Sequence, residues 1–230
     1  FPTRRSSDWE SEPLALQFMA MGCHAFILDY SVAPNHFPTS VRELGEAVAY
    51  IREHAAEWKV DPAKIIVCGS SAAGHLACSL GVFWDNELVY DAIGRTPAQI
   101  RPDGLILCYP VITGGEYAHV NSFKRLLGDD VTQEQRDAVS LENFVTEQTP
   151  RAFIWHTYTD ENVPVENSLL LAAAMKRKNV NFELHIYPTG GHGLSLADEE
   201  TAGNGFQVVE QCQSWIPLVK MWLKHFEASC

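Results

Sequence analysis

KIIVCGSSAAGHLACSLGVFW, residues 64–84, decides the fold. KIIVC is a short, β-branched apolar run bounded by the Asp61-Pro62 turn, and it reads as a buried strand over residues 64–68. The small residues GSSAAG follow, and then an apolar stretch without breakers reads as a helix to Trp84. A serine flanked by small residues carries chemical meaning in that context, because the chain must reverse sharply between strand and helix. Small residues two before and two after the serine let the backbone approach itself there. By position the serine is Ser71, with Gly69 two before it and Ala73 two after, where glycine is usual. The extra methyl of Ala73 falls at a crowded contact and is expected to be tolerated. On its own the motif also fits an inert helix start.

Outward from this stretch the chain alternates strands and helices. Residues 9–21 read as a helix ending at Gly22, and AFILDY (25–30) reads as a strand. Thr39 or Ser40 can cap a helix running to about Trp58, with Glu43 placed for a capping box. GLILCY (104–109), AFIWHTY (152–158) and residues 181–187 read as further strands. Residues 164–178 and 206–226 read as helices, the first with Pro164 or Val165 in its first turn. Near-continuously apolar strands between helices predict an α/β fold with a mostly parallel sheet covered on both faces. Between residues 110 and 150 the pattern breaks into short helical pieces around Gly114-Gly115 and Gly128, which reads as a lid-like excursion rather than a second domain.

Composition narrows the function classes. Of 230 residues, 29 are acidic and 17 basic, giving a net charge of −12. An acidic chain repels phosphate backbones and anionic lipid, so no nucleic-acid or membrane-surface role is expected. No apolar run reaches the length of a membrane span. The six cysteines show no CxxC and no zinc spacing, and Cys68 and Cys108, inside strand runs, read as small buried hydrophobes. Residues 1–8 (FPTRRSSD) resemble translated sequencing-adapter sequence, so the chain reads as a C-terminal piece of a longer protein, with residues 9–230 as one domain.

A serine at its ordinary pKa is a weak nucleophile and needs a base oriented by an acid. In a strand–elbow–helix fold these follow in the order Ser, acid, His. Asp160 lies just after AFIWHTY, and His192 lies in GGHG just after the last strand. Both therefore reach the sheet edge that carries Ser71. Taken singly, Asp160 reads equally as a helix cap and His192 as a solvated loop histidine. Glu161 and Asp198 are competitors for the acid. His75 sits inside the elbow helix, where packing or hydrogen bonding is its expected role. His24, His54, His119, His156, His185 and His225 show no metal-ligand spacing and read as structural or surface residues. Lys176, Arg177 and Lys178 read as a helix C-terminus. Tyr30, His36, Phe37, Tyr109, Tyr117 and Phe123 lie near the strand ends and the excursion, where some can stack on a sugar ring and most can serve as packing.

The stretches AFILDYSVAP (25–34), IIVCGSSAAGHLA (65–77), LILCYPVI (105–112), HTYTDENVPVENSLLLAAAMK (156–176) and FELHIYPTGGHGLSLA (182–197) resemble the serine α/β-hydrolases. Within these, the chain resembles the bacterial carbohydrate acetyl esterases of acetyl-xylan-esterase type. The resemblance implies a three-layer sandwich whose first strands and glycine-rich oxyanion loop are missing from this chain. It implies Ser71 as nucleophile, Asp160 as acid, His192 as base and the Ala72 N–H as one oxyanion donor. It implies hydrolysis of short-chain esters, above all acetyl esters on carbohydrate, with no metal or organic cofactor and a small-molecule or oligosaccharide substrate. A serine peptidase or formamidase of the same fold, and a non-catalytic binding module, are the alternatives. A cytoplasmic or secreted bacterial location is expected.

Overall fold

A computed structural model describes residues 10–202 and 208–227. In chain order the elements are α1 (Glu12–Ala20), α2 (Thr39–Glu53), α3 (Ala55–Trp58), β1 (Ile66–Ser70), α4 (Ser71–Phe83), α5 (Glu87–Tyr90), α6 (Pro97–Ile100), β2 (Gly104–Cys108), α7 (Val120–Leu127), α8 (Gln133–Asp137), β3 (Arg151–Thr157), α9 (Glu166–Arg177), β4 (Phe182–Tyr187) and α10 (Trp215–Glu227). The four strands form one parallel sheet in the order β1-β2-β3-β4. Among the described residues no helix is long and apolar enough to cross a membrane.

The period of two along the strands splits the core into two layers. Leu105, Leu107, Ala152 and Ile154 face α2, α4 and α9, where Val41, Val48, Leu76, Leu80, Leu171 and Met175 bury with them. Ile106, Cys108, Phe153 and Trp155 face the other way, against Leu14 of α1 and Trp215, Val219 and Trp222 of α10. Both faces of β2 and β3 are thus occupied, which is why these strands are apolar at nearly every position. Val111, Phe123, Val139 and Val163 make a third, smaller cluster within and beside residues 110–150.

Five expectations are corrected. AFILDY pairs in no ladder among the described residues, and Phe26 and Ile27 are about half exposed (49% and 52%). Its apolar character reads as a strand, but a strand needs a neighbouring strand to pair with, and composition does not supply one. The helix from Thr39 follows Pro38 with no side-chain cap, because Glu43 binds the amide and hydroxyl of Ser31 (2.7 and 2.6 Å) in place of a capping box. That helix is interrupted at His54, whose ring Nδ1 hydrogen bonds to the Tyr50 carbonyl. The C-terminal helix begins at Trp215, after residues 208–211, which carry no helix, and a 3₁₀ turn at Cys212–Ser214; residues 206 and 207 of that expectation lie outside the described residues. Pro217 explains the later start, since proline suits a first helical turn and in a helix interior removes a hydrogen bond and clashes with the preceding turn. Cys68 is exposed, while Cys108 is buried as expected. Cys68 sits on the edge strand β1, outside the cluster that α1 and α10 build over β2 and β3. Burial pushes the Cys108 thiol well above its ordinary pKa, and the neighbouring Cys68 thiol adds to the shift.

Candidate active site

Ser71 is placed by the elbow between β1 and α4. Ser70 is still extended (φ −109°), and Ser71 then takes φ +53°, the left-handed region that costs a non-glycine residue about 1–3 kcal/mol. The Val111 amide donates to the Ser71 carbonyl (3.1 Å) and fastens the strained residue to the neighbouring segment. The crowding expected at Ala73 falls elsewhere: a Cβ on Gly69 would lie 2.2 Å from the Ala73 carbonyl oxygen, and one on Gly74 would lie 2.7 Å from Pro110 Cβ. Ala73 itself is half-buried, so its methyl has room.

Gly69→Ala is therefore expected to cost about 3 kcal/mol, because the obstacle is backbone and cannot swing away. In a domain of this size that is a fall in Tm of roughly 6–12 °C. Ala73→Gly is expected to change stability by no more than about 1 kcal/mol. Thermal unfolding of the two variants checks the pair, and equal melting temperatures would contradict the elbow packing.

The structure brings Ser71, Asp160 and His192 together at the carboxyl edge of the sheet. His192 Nε2 is 2.7 Å from Ser71 Oγ, and His192 Nδ1 is 2.6 Å from Asp160 Oδ2. The Asp160 side chain is fully buried, whereas that of His192 remains 17% exposed. Asp160 Oδ1 accepts from the amides of Asn162 and Val163, both at 3.0 Å. Burial pushes the Asp160 carboxyl up, but hydrogen bonds from His156 and His192, the His192 charge and the Val163 amide outweigh it and hold the group well below the usual carboxylate range. The competitors stand apart. Glu161 is exposed, and Asp198 Oδ1 accepts from the amide and hydroxyl of Thr201.

The loop that carries His192 is pinned on both sides. Thr157 and Thr159 on and after β3 each donate a hydroxyl to the Gly190 carbonyl (2.9 and 3.0 Å), and the Gly190 amide donates back to Thr159 Oγ1. Gly190 takes φ +147°, and a Cβ there would lie 2.8 Å from Thr157 Cγ2. Tyr109 sets its ring edge-on to the imidazole, with centroids 5.2 Å apart. Its hydroxyl donates to Glu10 and accepts from the Ser195 amide at 3.0 Å. Ala72 is the second residue of α4, and its N–H is one of the first-turn amides without an intrahelical acceptor, at the positive end of the helix dipole.

Other histidines sort by environment. His75 is buried in α4, with Nε2 at the Val139 carbonyl and Nδ1 at Ser79 Oγ, and burial pushes its pKa down to about 4. That is the hydrogen-bonded packing role expected of it. His156, whose sequence context reads as structural or surface, lies behind the Asp160 carboxylate with its Nε2 3.3 Å from Oδ2. Its position four residues before Asp160, on an inward-facing strand position, was the available signal. Of the aromatics, Tyr109 and Phe123 are fully buried and cannot stack on a ligand, and Phe37 packs on Phe83. Tyr30, His36 and Tyr117 keep exposed surface.

A parallel sheet covered on both faces, with a serine on a strand–helix elbow and an aspartate and a histidine on the following strand ends, is the arrangement of an α/β-hydrolase. The chain belongs to the BD-FAE family, whose profile matches residues 4–175. It is 39% identical over 200 residues to endo-1,4-beta-xylanase B of Butyrivibrio fibrisolvens, covering 83% of this chain and 31% of that protein. It is 27% identical over 197 residues to the acetylxylan esterase of Xylanibacter ruminicola, covering 84% and 37% respectively. The chain thus spans about a third of the length of these curated relatives. The crystal structure of an acetyl ester-xyloside bifunctional hydrolase from Caldicellulosiruptor lactoaceticus superposes with a TM-score of 0.85 at 38% identity, covering 96% of this chain and 78% of that one. These likenesses place the chain among the carbohydrate-esterase-like α/β-hydrolases.

Proposed function

We propose that the protein is a serine esterase that removes short acyl groups, acetyl above all, from carbohydrate hydroxyls through an acyl-enzyme. The observation that carries this reading is the unbroken chain of contacts from Ser71 Oγ through His192 to the Asp160 carboxylate. Ser71 Oγ attacks the ester carbonyl as His192 Nε2 takes its proton, and Asp160 holds the imidazole with Nδ1–H toward the carboxylate. The tetrahedral oxyanion accepts the Ala72 N–H, whose dipole is already oriented. His192 then protonates the departing sugar alcohol. Water repeats the sequence, giving a proton to His192 and its oxygen to the acyl carbon; the Ser71 Oγ–acyl bond then breaks, His192 returns the proton to Oγ, and the acid departs. The acetyl and carbohydrate preference draws on the relatives, one named an acetylxylan esterase and another an acetyl ester-xyloside hydrolase.

Acetate release from acetylated xylan is expected to exceed hydrolysis of an eight-carbon acyl ester and of an aminoacyl amide at equal enzyme concentration. Better turnover of the long ester would overturn the acyl preference, and better turnover of the amide would make the protein a peptidase.

A further inference from the structure

His156 is one of the few fully buried polar side chains of the sheet, at 0% exposure, and no step of the proposed reaction uses it. It stands at an inward position of β3. Its Nδ1 lies 2.8 Å from Ser168 Oγ on α9, and its Nε2 lies 2.9 Å from the Val163 carbonyl. The same Nε2 lies 3.3 Å from Asp160 Oδ2, the oxygen that also receives His192 Nδ1. Facing a carbonyl and a carboxylate, neither of which can donate, Nε2 must carry the hydrogen.

We propose that His156 is a positioning residue for the hydrolytic site, its Nε2–H shared between the Val163 carbonyl and Asp160 Oδ2 so that the carboxylate is held in the one orientation that seats His192. The inference rests on the esterase reading. The Asp160 carboxylate then receives four donors: two backbone amides on Oδ1, and His192 and His156 on Oδ2. The amides alone fix one oxygen and leave the carboxylate free to rock about it. His156 supplies the second point of support from β3, and Ser168 ties that support to α9. The loop at residues 160–163 is thereby clamped between a strand and a helix, and Oδ2 stays directed at the imidazole. A residue this deep touches no substrate, so it acts on the reaction only through Asp160. Small displacements of such a group matter, since a misplacement of about 1 Å can cost a factor of 10² in rate.

The test compares His156→Gln with His156→Asn. The Gln side-chain amide nitrogen falls near the position of Nε2 and can donate to both Asp160 and Val163. The shorter Asn amide falls near Nδ1, satisfies Ser168 and leaves Asp160 without its donor. With a short acyl ester as substrate, His156→Asn is expected to lower kcat by about 10–10²-fold at unchanged KM. His156→Gln is expected to stay within about threefold of the unsubstituted protein, a rescue that packing volume alone does not give. In proton NMR, the downfield resonance of the His192 Nδ1–H on Asp160 is expected to persist in the Gln variant and to shift or broaden in the Asn variant. A folded His156→Asn protein with unchanged kcat and an unchanged resonance would overturn the proposal, and so would equal losses in the two variants. Nitrogen-15 labelling of the histidines in the unsubstituted chain tests the same geometry without substitution or turnover: a His156 Nε2 that carries no hydrogen would overturn it. An unsubstituted protein without esterase activity but with the expected resonance and tautomer would count against the esterase reading and not against the role of His156.

Discussion

Ser71→Ala is expected to abolish ester hydrolysis almost completely, lowering kcat by about 10⁶-fold while leaving the fold intact. The loss is large because the remaining groups have nothing to act on: without Oγ, His192 Nε2 has no proton to take and no covalent intermediate forms. The fold survives because the change removes one half-buried oxygen. The strained φ of +53° at Ser71 is set by the surrounding elbow, in which Gly69 packs on the Ala73 carbonyl and the Val111 amide holds the Ser71 carbonyl. Alanine inherits that strain without adding to it. Turnover of a short-chain aryl ester, measured beside far-UV circular dichroism, separates the two effects. A serine-directed phosphonate is expected to add its mass to the unsubstituted protein and not to Ser71→Ala. Near-normal turnover by the purified variant would sink the mechanism.

Much of the site was legible in the sequence because its parts sit at element ends, where local chemistry is loud. GSSAAG after an apolar strand fixes a turn that few residues tolerate, and the GGHG loop leaves space for an imidazole. Chain order then predicts which aspartate and which histidine reach the same sheet edge, and the contacts from Ser71 through His192 to Asp160 follow that order. What could not be read depends on partners distant in sequence. Glu43 looks like the end of a capping box, but Ser31 offers it both an amide and a hydroxyl across a turn. AFILDY has the composition of a strand, yet a strand exists only with a neighbour, and composition cannot name one. The apolar pattern of residues 206–226 suggests one helix, although Pro217 already marks where a helix must begin. His156 was hidden for a related reason. A histidine in an apolar run is usually packing, and only the return of the chain through Val163 and α9 shows that its two nitrogens meet three acceptors or donors, one of them the carboxylate behind His192.

Asp160→Asn is expected to lower kcat by about 10⁴-fold, the second-largest effect of any single substitution proposed for this protein. The reason lies in counting donors. The native carboxylate only accepts: Oδ1 from the Asn162 and Val163 amides, Oδ2 from His192 and His156. An asparagine side chain keeps one accepting oxygen and gains an NH₂. If that NH₂ faced the two backbone amides, buried donors would oppose each other on a fixed turn, at a cost of about 1–3 kcal/mol for each unsatisfied group. The oxygen therefore stays with the amides and the NH₂ turns toward His192. Nδ1 must then accept, and the ring hydrogen moves to Nε2, where it points at Ser71 Oγ. The imidazole is still 2.7 Å from the hydroxyl in such a protein, but it can no longer take the proton. The same NH₂ also opposes the Nε2–H of His156, which must either give up its bond to the Val163 carbonyl or move away. A fall in kcat, a modest loss of thermal stability and a changed His192 tautomer by nitrogen-15 NMR are expected together. Glu161→Gln, on an exposed side chain one residue further on, is expected to leave turnover within about twofold, since surface substitutions of this kind rarely matter. An Asp160→Asn protein within tenfold of normal turnover, or a Glu161→Gln protein with the larger loss, would move the acid's role to another carboxylate.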